Sequence, residues 1–190
     1  MKQKPRKLSL PEQGSMLISE PFLNDTYFKR SVVLLTEHDE QGTVGLILNK
    51  PTDVHLNEAV EDFPEFRVPL YFGGPVETDT LFYVHTLGER IPGSKKIAEG
   101  LWWGGDYDEL KQLIHLGEIT GEHIRFYAGY SGWEPDQLTG EMKERSWLVF
   151  ESSSEFAFSE NPSLLWRDVL RNMGNEYAIL SNFPEDPNLN

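Results

Sequence analysis

Apolar residues come in short bursts along this chain, separated by polar turns. In the first half the bursts have the length and composition of strands. "SMLIS" (15–19) is short and apolar. "SVVLLTEH" (31–38) and "TVGLILNK" (43–50) are rich in β-branched residues and joined by the polar, glycine-containing "DEQG", the pattern of a hairpin. The loop "NKPTDVH" leads to a predicted short helix around residues 56–61. "PLYFGGPV" (69–76) reads as a strand closing in a Gly-Gly-Pro turn, and "TLFYVHT" (80–86) as a further strand.

The second half mixes periods. Asp106 and Glu109 form an Asp-x-x-Glu helix start, Leu110, Leu113 and Ile114 follow at helical spacing, and Gly117 provides a stop. "EHIRFYAGY" (122–130) alternates and predicts a strand. Pro135 suits the first turn of a helix running to about Glu144, with Leu138 and Met142 on one face. "SWLVFE" (146–151) is another strand. Asn161–Pro162 opens a helix carrying Leu165, Val169 and Met173 on one face, with Gly174 at its end. Strands and helices alternate without regular βαβ order, which predicts an α+β fold with a largely antiparallel sheet.

No repeat, low-complexity tract or linker interrupts the 190 residues, a length that fits one domain. The expected organisation is a flexible basic arm (1–13), a single domain (14–180) and a frayed tail (181–190). Charge sharpens this picture. Lys2, Lys4, Arg6 and Lys7 stand in a segment without acids, and the rest of the chain carries 13 basic against 31 acidic side chains. An acidic body repels a phosphate backbone, so direct nucleic-acid binding is disfavoured and would fall to the arm. No apolar run approaches the ~20 residues that span a bilayer, and the N-terminus lacks the apolar core of a signal peptide. The expected setting is therefore cytoplasmic, without membrane association. The absence of cysteine excludes disulfides, thiolate metal sites and cysteine nucleophiles.

Candidate chemistry centres on "AGYSGWEPDQLTGEM" (128–142). Ser131 stands between glycines in what reads as a strand–turn–helix, the setting of a serine nucleophile. Gly129 matches the nucleophile-elbow pattern, but Trp133 occupies the place of its second glycine. His85, His115 and His123 all precede the serine, against the order of that hydrolase fold. A hydrolase using Ser131 is kept as the alternative to a non-catalytic protein. "GERIPGSK" (88–95) has the glycine spacing of a phosphate loop but places Ser94 before Lys95 and lacks the following helix, so nucleotide binding by this route is rejected. The five histidines form no local pair at metal-ligand spacing, and no cofactor or metal is expected. Trp102, Trp103, Tyr130 and Trp133 flank Gly-rich corners and are candidate recognition anchors, while Gln137 and Glu141 present one polar helical face beside Trp133.

Several stretches together resemble one family. "GSMLISEPFLNDTYFKRSVVLLTEH" (14–38), "GTVGLILNKP" (42–51), "YFGGPV" (71–76) and "FYAGYSGWEPDQLTGEM" (126–142) are similar, in order, to the motifs of the bacterial YqgE/AlgH proteins. Thr26 departs from the proline that commonly follows the aspartate there. The resemblance implies a bifurcated, mostly antiparallel β-sheet forming a pseudo-barrel flanked by helices. It implies no catalytic set. It carries the label of a transcriptional regulator, derived from alginate regulation, which is compatible with action through protein partners. In that family the position of Ser131 is alanine or serine, which weakens the nucleophile reading. Matched positions, among them Arg30, Asn49, Gly73, Gly74, Gly129, Trp133 and Gln137, are candidates for a shared fold or a shared surface.

Overall fold

The structure is a computed structural model that describes residues 7, 8 and 10–183. Its strands are β1 (Lys7–Leu8), β2 (Ser15–Ser19), β3 (Val32–Asp39), β4 (Gly42–Ile47), β5 (Pro51–His55), β6 (Pro69–Phe72), β7 (Val76–His85), β8 (Lys95–Ala98), β9 (Leu101–Trp103), β10 (Ile124–Trp133) and β11 (Trp147–Glu151). The helices are α1 (Leu56–Ala59), α2 (Tyr107–His115), α3 (Gln137–Lys143), α4 (Ser154–Ala157), α5 (Pro162–Met173) and α6 (Asn175–Leu180). The predicted α+β class is thus the observed one.

The main sheet runs β1-β11-β2-β3-β4-β10-β7-β9-β8, with β5 and β6 as a branch on β10. Every pairing is antiparallel except that of β6 with β10. The sheet curls into a half-barrel, so that the far hairpin β8–β9 returns to the start of β2 and the end of β3. There Lys95 Nζ meets Glu37 Oε1 at 2.8 Å. Gly14 backs onto the Ile97 carbonyl, where a Cβ would stand 1.9 Å from the oxygen.

The apolar bursts in β2, β3 and β4 are nearly continuous because both of their faces are covered. Met16, Ile18, Val32, Leu34, Leu46 and Leu48 point inward to the Leu165, Trp166, Val169 and Leu170 face of α5. Leu17, Val33, Leu35 and Ile47 point outward to Trp133, Leu138 and Trp147 under α3. A second outer cluster joins Leu110, Leu113 and Ile114 of α2 to Tyr83, Ile124 and Phe126.

β10 is where the sheet forks. Its first part lies between β6 and β7, pairing Phe126 with Leu70 and with Tyr83. Its last part pairs with β4, Ser131 opposite Gly45. The register shifts between Ala128 and Tyr130, and Gly129 at that step has φ +69°. The extra residue reverses side-chain parity. Phe126 and Ala128 contribute to the α2 cluster, while Tyr130 faces the interior and Trp133 reaches the α3 cluster. A Cβ on Gly129 would lie 2.6 Å from the Gly74 carbonyl oxygen, and one on Gly73 2.2 Å from the Gly129 oxygen. Three chain segments approach too closely here for side chains.

Several expectations need correction. Ser131 does not sit in a strand-to-helix turn: β10 continues through it to Trp133. "PTDVH" is not a loop but the edge strand β5, and "KKIAEGLWW" forms the β8–β9 hairpin. The Thr26 turn is held by Asp25 Oδ1, which accepts from the amides of Tyr27 and Phe28. Of the expected arm, residues 1–6 and 9 lie outside the described residues, whereas Lys7 and Leu8 pair with Phe150 and Val149. Of the expected tail, 184–190 lie outside them, whereas Ser181 is buried.

Candidate functional site

The histidines and the serine of the hydrolase alternative are separately engaged. Ser131 is fully buried, and its hydroxyl donates to the Gly73 carbonyl at 3.0 Å, inside the fork. His85 is also fully buried. Its Nδ1 accepts from the Leu87 amide, which leaves the proton on Nε2, facing Ser94 Oγ at 3.0 Å and the Gly104 carbonyl at 3.1 Å. Burial lowers its pKa, partly opposed by the bond to the Gly104 carbonyl. His123 binds Thr120 at the start of β10, and His115 is exposed on α2. No bond among the described residues joins any of them to Ser131.

Trp133, Gln137 and Glu141 form a clamp. Glu141 Oε2 accepts from Trp133 Nε1 at 2.9 Å and from Trp147 Nε1 at 2.7 Å, and Glu141 Oε1 accepts from Gln137 Nε2 at 3.0 Å. Gln137 Oε1 in turn accepts from the Glu134 amide. Both indoles are buried, and the clamp pins α3 to the outer face of the sheet. Phe28 packs edge-on against Trp147 and lies 5.9 Å from the ring of Trp133.

Beside this clamp lies an open cleft between the β3–β4 hairpin tip and the β10–α3 corner. Two adjoining cavities of about 420 and 470 Å³ share Asp39, Gly42, Thr43 and Glu134. Tyr130, Trp133 and Gln137 line the first, with Glu37; Glu40 and Asp136 line the second. Glu37 is paired with Lys95, but Asp39, Glu40, Glu134 and Asp136 make no ion pair within the described residues. Trp102 and Trp103 do not join this cleft. As neighbours on β9 they face opposite ways. Trp103 stacks on Phe82 beneath Lys95, and Trp102 lies under Lys96. Phe82 meets Tyr130 edge-on, so Trp103 connects to the cleft only through that ring.

Arg30 and Asn49 come together elsewhere, past the other end of β4. Asn49 Oδ1 accepts from the Val32 amide and its Nδ2 donates to the Arg30 carbonyl, both at 2.9 Å. This holds Arg30 in a left-handed conformation, φ +50°, with its guanidinium 4.8 Å from the centre of the Trp166 ring and bonded to the Phe183 carbonyl. Lys29, Lys50 and Arg167 surround the same cavity, of about 410 Å³. Val44 at the acidic cleft and Asn49 here are five residues apart along one extended chain, roughly 17 Å. Lys29, Lys50, Arg167 and the acids of the cleft are not among the site residues that the sequence predicts. Their signal is the local clustering of "FKR", "NK" and "HDE", but only the fold brings the distant members to them.

A forked, curled antiparallel sheet wrapped on a central helix, with matched motifs at the fork, defines an α+β half-barrel class of bacterial proteins. The chain belongs to the AlgH-like family, whose model matches residues 16–178. It is 45% identical over 182 residues to a UPF0301 protein of Bacteroides thetaiotaomicron, covering 95% of this chain and 92% of that one. It is also 45% identical over 179 residues to one of Cytophaga hutchinsonii, covering 94% and 98%. Among solved structures it is similar to a Corynebacterium diphtheriae protein, with TM-score 0.76 and 25% identity over 92% of this chain and 94% of that one. It is similar too to the AlgH protein of Pseudomonas aeruginosa, with TM-score 0.73 and 28% identity over 94% and 98%. No helix among the described residues is long and apolar enough to cross a membrane.

Proposed function

We propose that this is a non-catalytic binding and regulatory protein of the cytoplasm that works through protein partners. The acidic cleft beside Trp133 is the docking surface for a partner segment rich in Lys or Arg. The observation that carries this reading is the set of four acids without ion-pair partners among the described residues, Asp39, Glu40, Glu134 and Asp136, converging on an open cleft that also presents Tyr130. Opposite charge steers a partner and fixes its register, and a Tyr at the base supplies contact area. The clamp on α3 keeps the cleft wall rigid before docking, which lowers the ordering cost of binding. Any influence on transcription then runs through that partner, since the acidic body disfavours a phosphate backbone.

The hydrolase alternative has little support, because the Ser131 hydroxyl is spent on a backbone carbonyl away from solvent. Direct DNA binding would rest on residues 1–6, outside the described residues, together with Lys7 in β1. The test places a photo-crosslinking amino acid at Gln41, an exposed residue lining the cleft. Irradiation in cells should yield one recurrent protein adduct. Glu40→Lys with Glu134→Lys should abolish it, while Glu89→Lys, on the exposed turn before β8, leaves it intact. An adduct indifferent to reversal in the cleft, or no protein adduct at all, rejects this docking surface.

A further inference from the structure

The acid-rich body contains one cavity whose charge runs the other way. The chain holds 31 acidic and 17 basic side chains. Yet four cations, Lys29, Arg30, Lys50 and Arg167, line the 410 Å³ cavity at the end of β4, and among the described residues no carboxylate does. Lys29 and Arg167 make no ion pair within the described residues. Lys50 donates to the Tyr27 carbonyl, and burial lowers its pKa against the pull of Asp25. Gathering like charges in a partly desolvated place is unfavourable by itself, and an anion seated among them offsets that cost.

Two further features share the cavity. Ser163 and Leu164, in the first turn of the twelve-residue α5, line its wall. Asn161 makes no side-chain cap there, and Pro162 at the first turn has no N–H, so the Ser163 amide is left for an anion at the positive end of the helix. The wall also includes Trp166, whose indole is fixed by donation to the Ser19 carbonyl at 2.9 Å. Volume and chemistry narrow the occupant. The cavity has the size of a small-molecule site. Lys29, Lys50 and Arg167 together exceed what one carboxylate neutralises and match a phosphate or diphosphate. A nucleic-acid duplex would need basic surface continuing beyond the cavity, and the body around it is acidic.

The geometry points to this cavity as a binding site for a phosphorylated small molecule, its phosphate or diphosphate group held by Lys29, Lys50, Arg167 and the Ser163 amide beside Trp166. The site is separate from the acidic cleft, so its success or failure leaves the docking proposal untouched.

The test uses the full chain with inorganic pyrophosphate, ADP and sulfate at matched ionic strength, read by calorimetry and by amide NMR shifts. Pyrophosphate and ADP should bind at least tenfold more tightly than sulfate, with shifts centred on Asn49, Lys50, Ser163 and Leu164. ADP tighter than pyrophosphate identifies a nucleotide as the source of the group; equal affinity identifies the diphosphate alone. Lys29→Ala and Arg167→Ala, both on side chains outside the core, should each weaken binding about tenfold, and Arg167→Lys should recover part of that loss. No binding at millimolar pyrophosphate, shifts centred elsewhere, affinity no better than sulfate, or indifference to both alanine variants overturns the assignment. So does tighter binding of duplex DNA than of pyrophosphate.

Discussion

Glu141 offers the sharpest test of how α3 is held, because one carboxylate oxygen serves two buried indoles. Replacing it with leucine keeps the helix and adds apolar volume, but strands Trp133 Nε1 and Trp147 Nε1, now 2.9 and 2.7 Å from Oε2. The two Trp residues are 5% and 3% exposed, so water reaches the freed N–H groups poorly. A hydrogen bond to a charged acceptor contributes about 1.5–3 kcal/mol, and an unsatisfied buried donor costs about 1–3 kcal/mol. Two such losses, partly relieved because Glu141 itself is half-buried, give an expected destabilisation of about 2–4 kcal/mol. Glu141→Gln keeps an acceptor oxygen for the indoles and loses the charge and the link to Gln137, so about 1 kcal/mol is expected.

Urea unfolding followed by tryptophan fluorescence and far-UV circular dichroism measures both. At a slope of about 2 kcal/mol/M, the leucine variant should lower the midpoint by about 1–2 M and the glutamine variant by about 0.5 M. A double-mutant cycle with Trp147→Phe should return a coupling of about 1 kcal/mol or more. If the leucine and glutamine variants unfold together, or leucine costs less than about 0.5 kcal/mol, the clamp is not what anchors α3.

Three other perturbations have clear signs. Tyr127 is wholly buried and its hydroxyl has no hydrogen-bond partner within the described residues; burial raises its pKa. Tyr127→Phe should therefore leave stability unchanged or raise it by about 1 kcal/mol, and a loss above that in thermal unfolding would expose a missing partner. Gly129→Ala demands a left-handed φ and a Cβ 2.6 Å from a backbone oxygen; it should cost about 3 kcal/mol or more, or prevent soluble expression, whereas Gly140→Ala, where a Cβ meets nothing within 4 Å, should be neutral or stabilising. His85 is held neutral with a lowered pKa, so the unfolded chain takes up its proton first as pH falls. Its contribution to stability is complete above the ordinary histidine value of about 6.5 and is lost as pH falls from there through the lowered folded value. His85→Gln should flatten that part of the stability-versus-pH curve measured by urea titration, and an unchanged slope would reject the assignment.

Much of the sheet was legible because strand signals are local. β2, β3 and β11 follow their apolar bursts almost to the residue, β4 ends three residues before its burst does, and α2 and α5 begin where Asp106 and Pro162 announce them. β5 escaped for a physical reason. It is an exposed edge strand containing Pro51 and Asp53, and its bonds come from β6 rather than from any apolar pattern of its own. The continuation of β10 through Ser131 was hidden by glycines that read as a turn. Those glycines bend nothing into a helix. They let three backbones meet at the fork, a property of segments 45–47, 73–74 and 129–131 together.

That same fork explains why the motif misled toward catalysis. A small hydroxyl between glycines is what a nucleophile elbow requires, and it is also what a crowded sheet junction requires. There the hydroxyl must reach one carbonyl, of Gly73, that the diverging strands leave with spare acceptor capacity. Local sequence cannot separate the two, because the deciding partner lies 58 residues away. Charge was misleading in the opposite sense. Beyond the basic arm, 13 basic against 31 acidic side chains describe the body as uniformly acidic, while folding places bases from residues 29–30, 50 and 167 at one cavity and acids from 37–40 and 134–136 at another. β4 leads from one to the other, its hairpin end at the acids and the chain just past its last residue at the bases. The polarity of the molecule therefore follows from sheet topology rather than composition. A change that slipped the β3–β4 register would disturb both sites at once, whereas substitutions within either leave the other intact.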